Sequence, residues 1–234
     1  MRKREGMKKR RSRILAWLLA CFMVLSVIQG TGWGSLTVQA EEAEKIPTNL
    51  KVGTKDEDQV IKDGAVINKE GTGWNYNETT NILTLTNANL GDIIYDGGDL
   101  NLQISGENTV GQIDSKENAI YITGIENGKL ACTDIAVDTF SVEDIELNAS
   151  NDINVKTATV KNVKLNTSTY LDTNTLNCFE SQINTADRVF VGGSLNCVDS
   201  EIRAGKIDFL VLCQDLVQVK MRNFSHFNPP EAQP

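Results

Sequence analysis

Apolar residues return every 18 positions through the middle of this chain. Ile135, Ile153, Leu171, Val189 and Ile207 form one rail, and Val137, Val155, Thr173, Val191 and Phe209 form a second, two residues on. Val142, Val160 and Cys178 keep the same step, as do Leu147, Leu165 and Ile183. Asn148, Asn166 and Asn184 follow the same beat. A fixed period near 20 residues means one supersecondary unit stacked on copies of itself. Function in such a stack belongs on its faces, because the interior is filled by the repeat.

Within the repeat that begins at Ile135, the inward candidates come in pairs: Ile135 and Val137, Phe140 and Val142, Ile145 and Leu147. A spacing of two inside each pair is that of a strand with one buried face. The spacing of three between pairs breaks the alternation, so the chain must turn a corner there. This reads as an all-β, single-stranded parallel β-helix (β-solenoid), taken as right-handed, with three short strands per coil. Seven to eight coils of about 18–19 residues are expected between residues 81 and 221. The asparagine beat is placed at a corner, where Asn tolerates the left-handed backbone conformation and its amides can stack. Leu195, Cys197 and Ile202 fall 19 beyond their counterparts, with Gly192-Gly193 upstream as the expected bulge. Proline is absent between residues 48 and 228, as an uninterrupted ladder requires. Residues 41–80 are read as an N-terminal segment and cap, and residues 222–234 as a tail.

Residues 1–40 read as a secretory signal peptide. Eight basic side chains precede an apolar run from Ile14 to Ile28, and Val38-Gln39-Ala40 places small residues at the cleavage positions. The run is shorter than the roughly 20 residues of a spanning helix, so no membrane span is expected after cleavage. Leu18-Leu19-Ala20-Cys21 resembles a lipoprotein box, but Phe22-Met23-Val24-Leu25 carries the apolar run past the cysteine. Without this segment 15 basic and 30 acidic residues remain, a net charge of −15. Such a surface repels nucleic acid and anionic lipid and favours cations or neutral partners; a polysaccharide or a cell-surface protein is the expected partner. Cys178 and Cys197 occupy matching places in neighbouring coils. A disulfide between them is sterically allowed at a coil spacing of ~4.8 Å, although buried cysteine also packs as a small apolar side chain.

The stretch Gly71-Thr-Gly-Trp-Asn-Tyr-Asn-Glu-Thr-Thr-Asn-Ile-Leu-Thr-Leu-Thr-Asn-Ala-Asn-Leu90 resembles a module opening of exported carbohydrate-binding-type parallel β-helix proteins of Gram-positive bacteria. Asp99-Leu-Asn-Leu-Gln-Ile-Ser-Gly-Glu-Asn-Thr-Val110 is similar to their coils. The resemblance covers roughly residues 71–125 and implies an extracellular or cell-surface location and a carbohydrate ligand, in some relatives calcium-assisted. It brings no catalytic motif.

Ring faces stack on sugars while amides and carboxylates bond to hydroxyls, so Trp74, Tyr95 and Tyr121 are the candidate ligand-binding residues, with Tyr170 also expected on the surface. The calcium candidates are Asp92, Asp96 and Asp99, where Gly97-Gly98 would let the backbone fold toward a hard cation. A lone mature histidine, His226, finds no nucleophile partner. The expected function is therefore non-enzymatic, low-affinity polysaccharide binding. A structural or adhesive stalk is the alternative, and a polysaccharide lyase-type enzyme is a third reading.

Overall fold

The computed structural model describes residues 45–55 and 58–209. Short strands come first: β1 (Asn49–Val52), β2 (Gln59–Lys62), β3 (Ala65–Val66), β4 (Glu70–Gly71) and β5 (Trp74–Asn77). Next are β6 (Ile82–Thr86), β7 (Ile93–Asp96), β8 (Leu100–Thr109) and β9 (Ile113–Cys132). Long and short strands then alternate as β10 (Ile135–Glu143), β11 (Glu146–Ala149), β12 (Ile153–Lys161), β13 (Lys164–Thr167), β14 (Tyr170–Phe179), β15 (Gln182–Thr185), β16 (Arg188–Val198), β17 (Glu201–Arg203) and β18 (Lys206–Phe209). No α-helix occurs among the described residues.

Long strands pair in parallel with long strands one coil on, from β10 through β12, β14 and β16 to β18. Short strands do the same from β11 to β17. The molecule is a parallel β-solenoid, and one rail of its core has seven rungs: Ile93, Ile113, Ile135, Ile153, Leu171, Val189 and Ile207. The first six are at most 1% exposed, and burying each such side chain is worth about 1.5–3 kcal/mol. Rungs complement one another in volume. Phe140 lies beside Ala158, so the largest side chain of that rail sits against its smallest.

Three inward sets per coil are present, but the bends differ from the expectation. The first two sets belong to one hydrogen-bonded strand. β10 runs unbroken from Ile135 to Glu143, although two successive residues, Asp138 and Thr139, separate Val137 from Phe140. Only the bend before the short strand uses a left-handed residue, and it is not the predicted asparagine. Asp144, Asn162, Glu180 and Asp199 have φ of 58°, 51°, 50° and 50°. Asn148, Asn166 and Asn184 instead lie inside β11, β13 and β15, paired with one another. The reason is a second inward residue on each short strand: Ala149, Thr167 and Thr185 are buried, so the strand continues past the asparagine. The amides do stack, Asn166 Nδ2 donating to Asn148 Oδ1 at 2.7 Å and Asn184 Nδ2 to Asn166 Oδ1 at 2.9 Å.

The frame slip lies where the glycines predict it. Thr173 pairs with Val191 but Thr175 with Ser194, so Gly192 and Gly193 face the single residue Asn174. At the other end, antiparallel strands close the first coil. β1 pairs antiparallel with β7 and with β2, and β5 with β6 and β4. Edges that would otherwise accept another chain are thereby already bonded.

Candidate functional site

Alternation along β9 decides which way Tyr121 points. Ile120 and Ile122 on either side are 0% and 1% exposed, while Tyr121 is 38% exposed. Its ring stands on the outer face between Asn101 of the preceding coil and Ser141 of the next. Two residues along, Gln103 pairs with Thr123 in the same two coils. Asn101, Gln103, Tyr121 and Thr123, together with Thr80 and Ile82, line a shallow concavity of about 270 Å³. An aromatic face ringed by amides and hydroxyls suits a sugar, which offers a C–H face to the ring and hydroxyls to the amides.

The other aromatic candidates are elsewhere. Tyr95 is 2% exposed and lies in the core, its hydroxyl donating to the Ala119 carbonyl at 2.9 Å. Burial pushes that hydroxyl's pKa well above the ordinary phenol range. Trp74 is 8% exposed, with its indole closed over Gly71 across the β4–β5 pair. Neither ring can stack on a ligand in this conformation, so both are corrected from ligand-binding to packing residues. Tyr170 is half-buried on the outer surface of β14.

The three aspartates of the calcium expectation do not converge. Asp92 Oδ1 accepts from the Gln112 amide at 2.9 Å, and Asp99 Oδ1 from the Ala119 amide at 2.8 Å. Asp96 Oδ1 accepts from Asn49 Nδ2 and Thr48 Oγ1 at 2.9 and 3.2 Å. Each carboxylate thus holds a different piece of chain, and Gly97-Gly98 lie against Thr48, Lys45 and Ile46 in place of an ion. No group of three or more His, Cys, Asp or Glu among the described residues is placed to hold a metal.

Sequence reasoning missed the common role of these aspartates. Asp92, Asp134 and Asp152 each precede an inward isoleucine, and the Asp134 carboxylate accepts from the Asp152 amide at 3.3 Å just as Asp92 serves the next coil. The recurring Asp-Ile pair was the available signal.

A second, larger groove of about 420 Å³ follows the left-handed bend across several coils. Its polar walls are largely occupied with one another. Lys164 pairs with Glu146 at 2.8 Å, and Asn162 Nδ2 donates to Asp144 Oδ1 at 2.7 Å. The hydrogen bond from Lys164 holds the Glu146 carboxyl below its usual pKa against the opposing effect of burial, with the charges of Lys164 and Lys129 helping. A ligand there would have to replace bonds already made.

Cys178 and Cys197 are joined by a disulfide with Cα atoms 4.5 Å apart, linking β14 to β16 across stacked coils. Cys132 is a free, buried thiol whose pKa is pushed up to about 12, first by burial and then by Asp134. That value leaves it protonated and unreactive near neutral pH. His226, Cys21 and the expected signal segment, residues 1–40, lie outside the described residues. Comparison with known proteins finds no counterpart: no family model, curated protein or solved structure matches this chain.

Proposed function

We propose that this chain is an exported, non-catalytic module that holds an uncharged polysaccharide against the outer face of its solenoid, at the surface of a Gram-positive bacterium. The observation that carries the reading is Tyr121, exposed on a flat parallel ladder with Asn101, Gln103 and Thr123 around it. The leader-like residues 1–40 and the resemblance over residues 71–125 support export and the carbohydrate class. The net charge of −15 beyond the leader argues for a neutral polymer over a polyanion. Binding is shallow and weak in this reading, since one ring contributes about 0.5–1.5 kcal/mol beyond the area it buries. The reading assigns calcium no part, since Asp92, Asp96 and Asp99 each accept local hydrogen bonds.

A glycan array probed with and without calcium tests this. Signal is expected on neutral hexose polymers, equal in both conditions, and Tyr121→Ala should lower it by roughly three- to tenfold. A blank array in both conditions, or a signal indifferent to Tyr121→Ala, would sink the reading.

A further inference from the structure

On a face of the solenoid separate from Tyr121, one outward column changes sign along its length. Asp134, Asp152, Tyr170, Arg188 and Lys206 occupy the same place in five successive coils. The Asp152 amide bonds the Asp134 carboxylate, the pairing of Ile153 with Leu171 sets Asp152 beside Tyr170, and β14, β16 and β18 pair Tyr170 with Arg188 and Arg188 with Lys206. Two acids lie one and two coils before Tyr170, and two bases lie one and two coils after it. The column is antisymmetric in charge about the tyrosine.

We infer that this face is an interface between two copies of the chain, related by a two-fold axis running along the strand direction through Tyr170. That rotation reverses the stack, so the coil before Tyr170 in one copy meets the coil after it in the other. Asp152 then faces Arg188 of the second copy and Asp134 faces its Lys206, each pair formed twice, as a two-fold interface requires. The coil step, ~4.8 Å, is the same in both copies, so all four pairs come into register together. Tyr170 meets its own copy at the centre.

The state of Arg188 supports an unfilled role for its charge. Its guanidinium is held 5.7 Å from the Tyr170 ring centroid and 5.5 Å from that of Phe190. No carboxylate among the described residues forms an ion pair with it, whereas Lys129, Lys156, Lys161 and Lys164 all have acidic partners. A planar fork fixed by aromatic rings and short of an acceptor is suited to take a carboxylate in a bidentate way. Aromatic and arginine side chains are also those enriched at the centres of interfaces. Two groups work against the pairing. Lys206 shares itself with Asp208 at 2.9 Å, and Asp172, on the same coil as Tyr170, would meet its own copy across the axis.

Sedimentation of the full chain over a concentration series, in low and in high salt, tests the interface. A dimer that weakens with salt is expected. Arg188→Asp and Asp152→Arg should each weaken self-association at least roughly tenfold. An equimolar mixture of the two should restore it, because only the mixed pair sets every acid against a base. Lys206→Asp and Asp134→Lys form a second such pair, which decides the matter if Asp152→Arg does not fold. Asp172→Asn should tighten the dimer. A wild-type chain monomeric throughout, or variants whose mixtures do not reassociate, would overturn the inference. The Tyr121 reading would be untouched, since the array signal reports a different face.

Discussion

Gly193 accommodates a side chain less readily than its neighbour Gly192. A Cβ built there would lie 2.7 Å from the Asn174 carbonyl oxygen, while one on Gly192 would find Asn174 Oδ1 at 3.3 Å, the end of a movable side chain. Gly193→Ala should therefore cost about 1–3 kcal/mol and Gly192→Ala less than about 1 kcal/mol, read from urea unfolding midpoints. Equal costs would mean that the bulge, and not this contact, demands the glycines. At the same scale, the exposure of Tyr121 was legible because its neighbours alternate cleanly. Tyr95 was not. It lies two residues after Ile93, the place of Val137 after Ile135, and is in fact an early member of the second rail. The steps from Ile93 to Ile113 and on to Ile135 are 20 and 22 residues, so the 18-residue beat does not reach back to it. Trp74 packs in a hairpin that precedes the repeat and obeys a different pattern.

Between coils, ion pairs step from strand to strand. Glu107 of β8 meets Lys129 of β9 at 3.0 Å and Glu146 of β11 meets Lys164 of β13 at 2.8 Å, and Glu143 of β10 pairs with Lys161 of β12. Glu146 has its pKa lowered mainly by the hydrogen bond from Lys164. A carboxyl whose folded value lies below its unfolded one adds stability above the unfolded value and loses it as pH falls through the folded one. Lys164→Met should thus lower stability by about 0.2–1 kcal/mol near pH 7, the modest worth of an exposed pair. The gap should close as the pH falls below the folded value, as urea titrations carried from neutral into acid would show. A gap unchanged by pH would assign the loss to packing of the lysine stem. Strand-level features were partly legible. Inward pairs two apart gave the rails, but the bends did not follow, because only one of them needs a left-handed residue and it is filled by Asp144, Asn162, Glu180 and Asp199, three acids and one asparagine.

For the whole solenoid, stability is a sum over coils and the contacts between neighbours, and one covalent tie crosses that boundary. The Cys178–Cys197 disulfide closes a loop of sequence separation 19, worth about 3 kcal/mol in loop entropy. Reduction should lower the melting temperature of the wild type, and Cys178→Ala/Cys197→Ala should melt low with or without reductant. Melting indifferent to reductant in the wild type would argue that the coils on either side never separate before the rest. The register of β12 on β10 repeats in that of β14 on β12, residue for residue. A coil copied in tandem at that point would therefore meet backbones already in step with its own. Length in such a chain is an inherited count, open to change by duplication without any new solution to the folding problem.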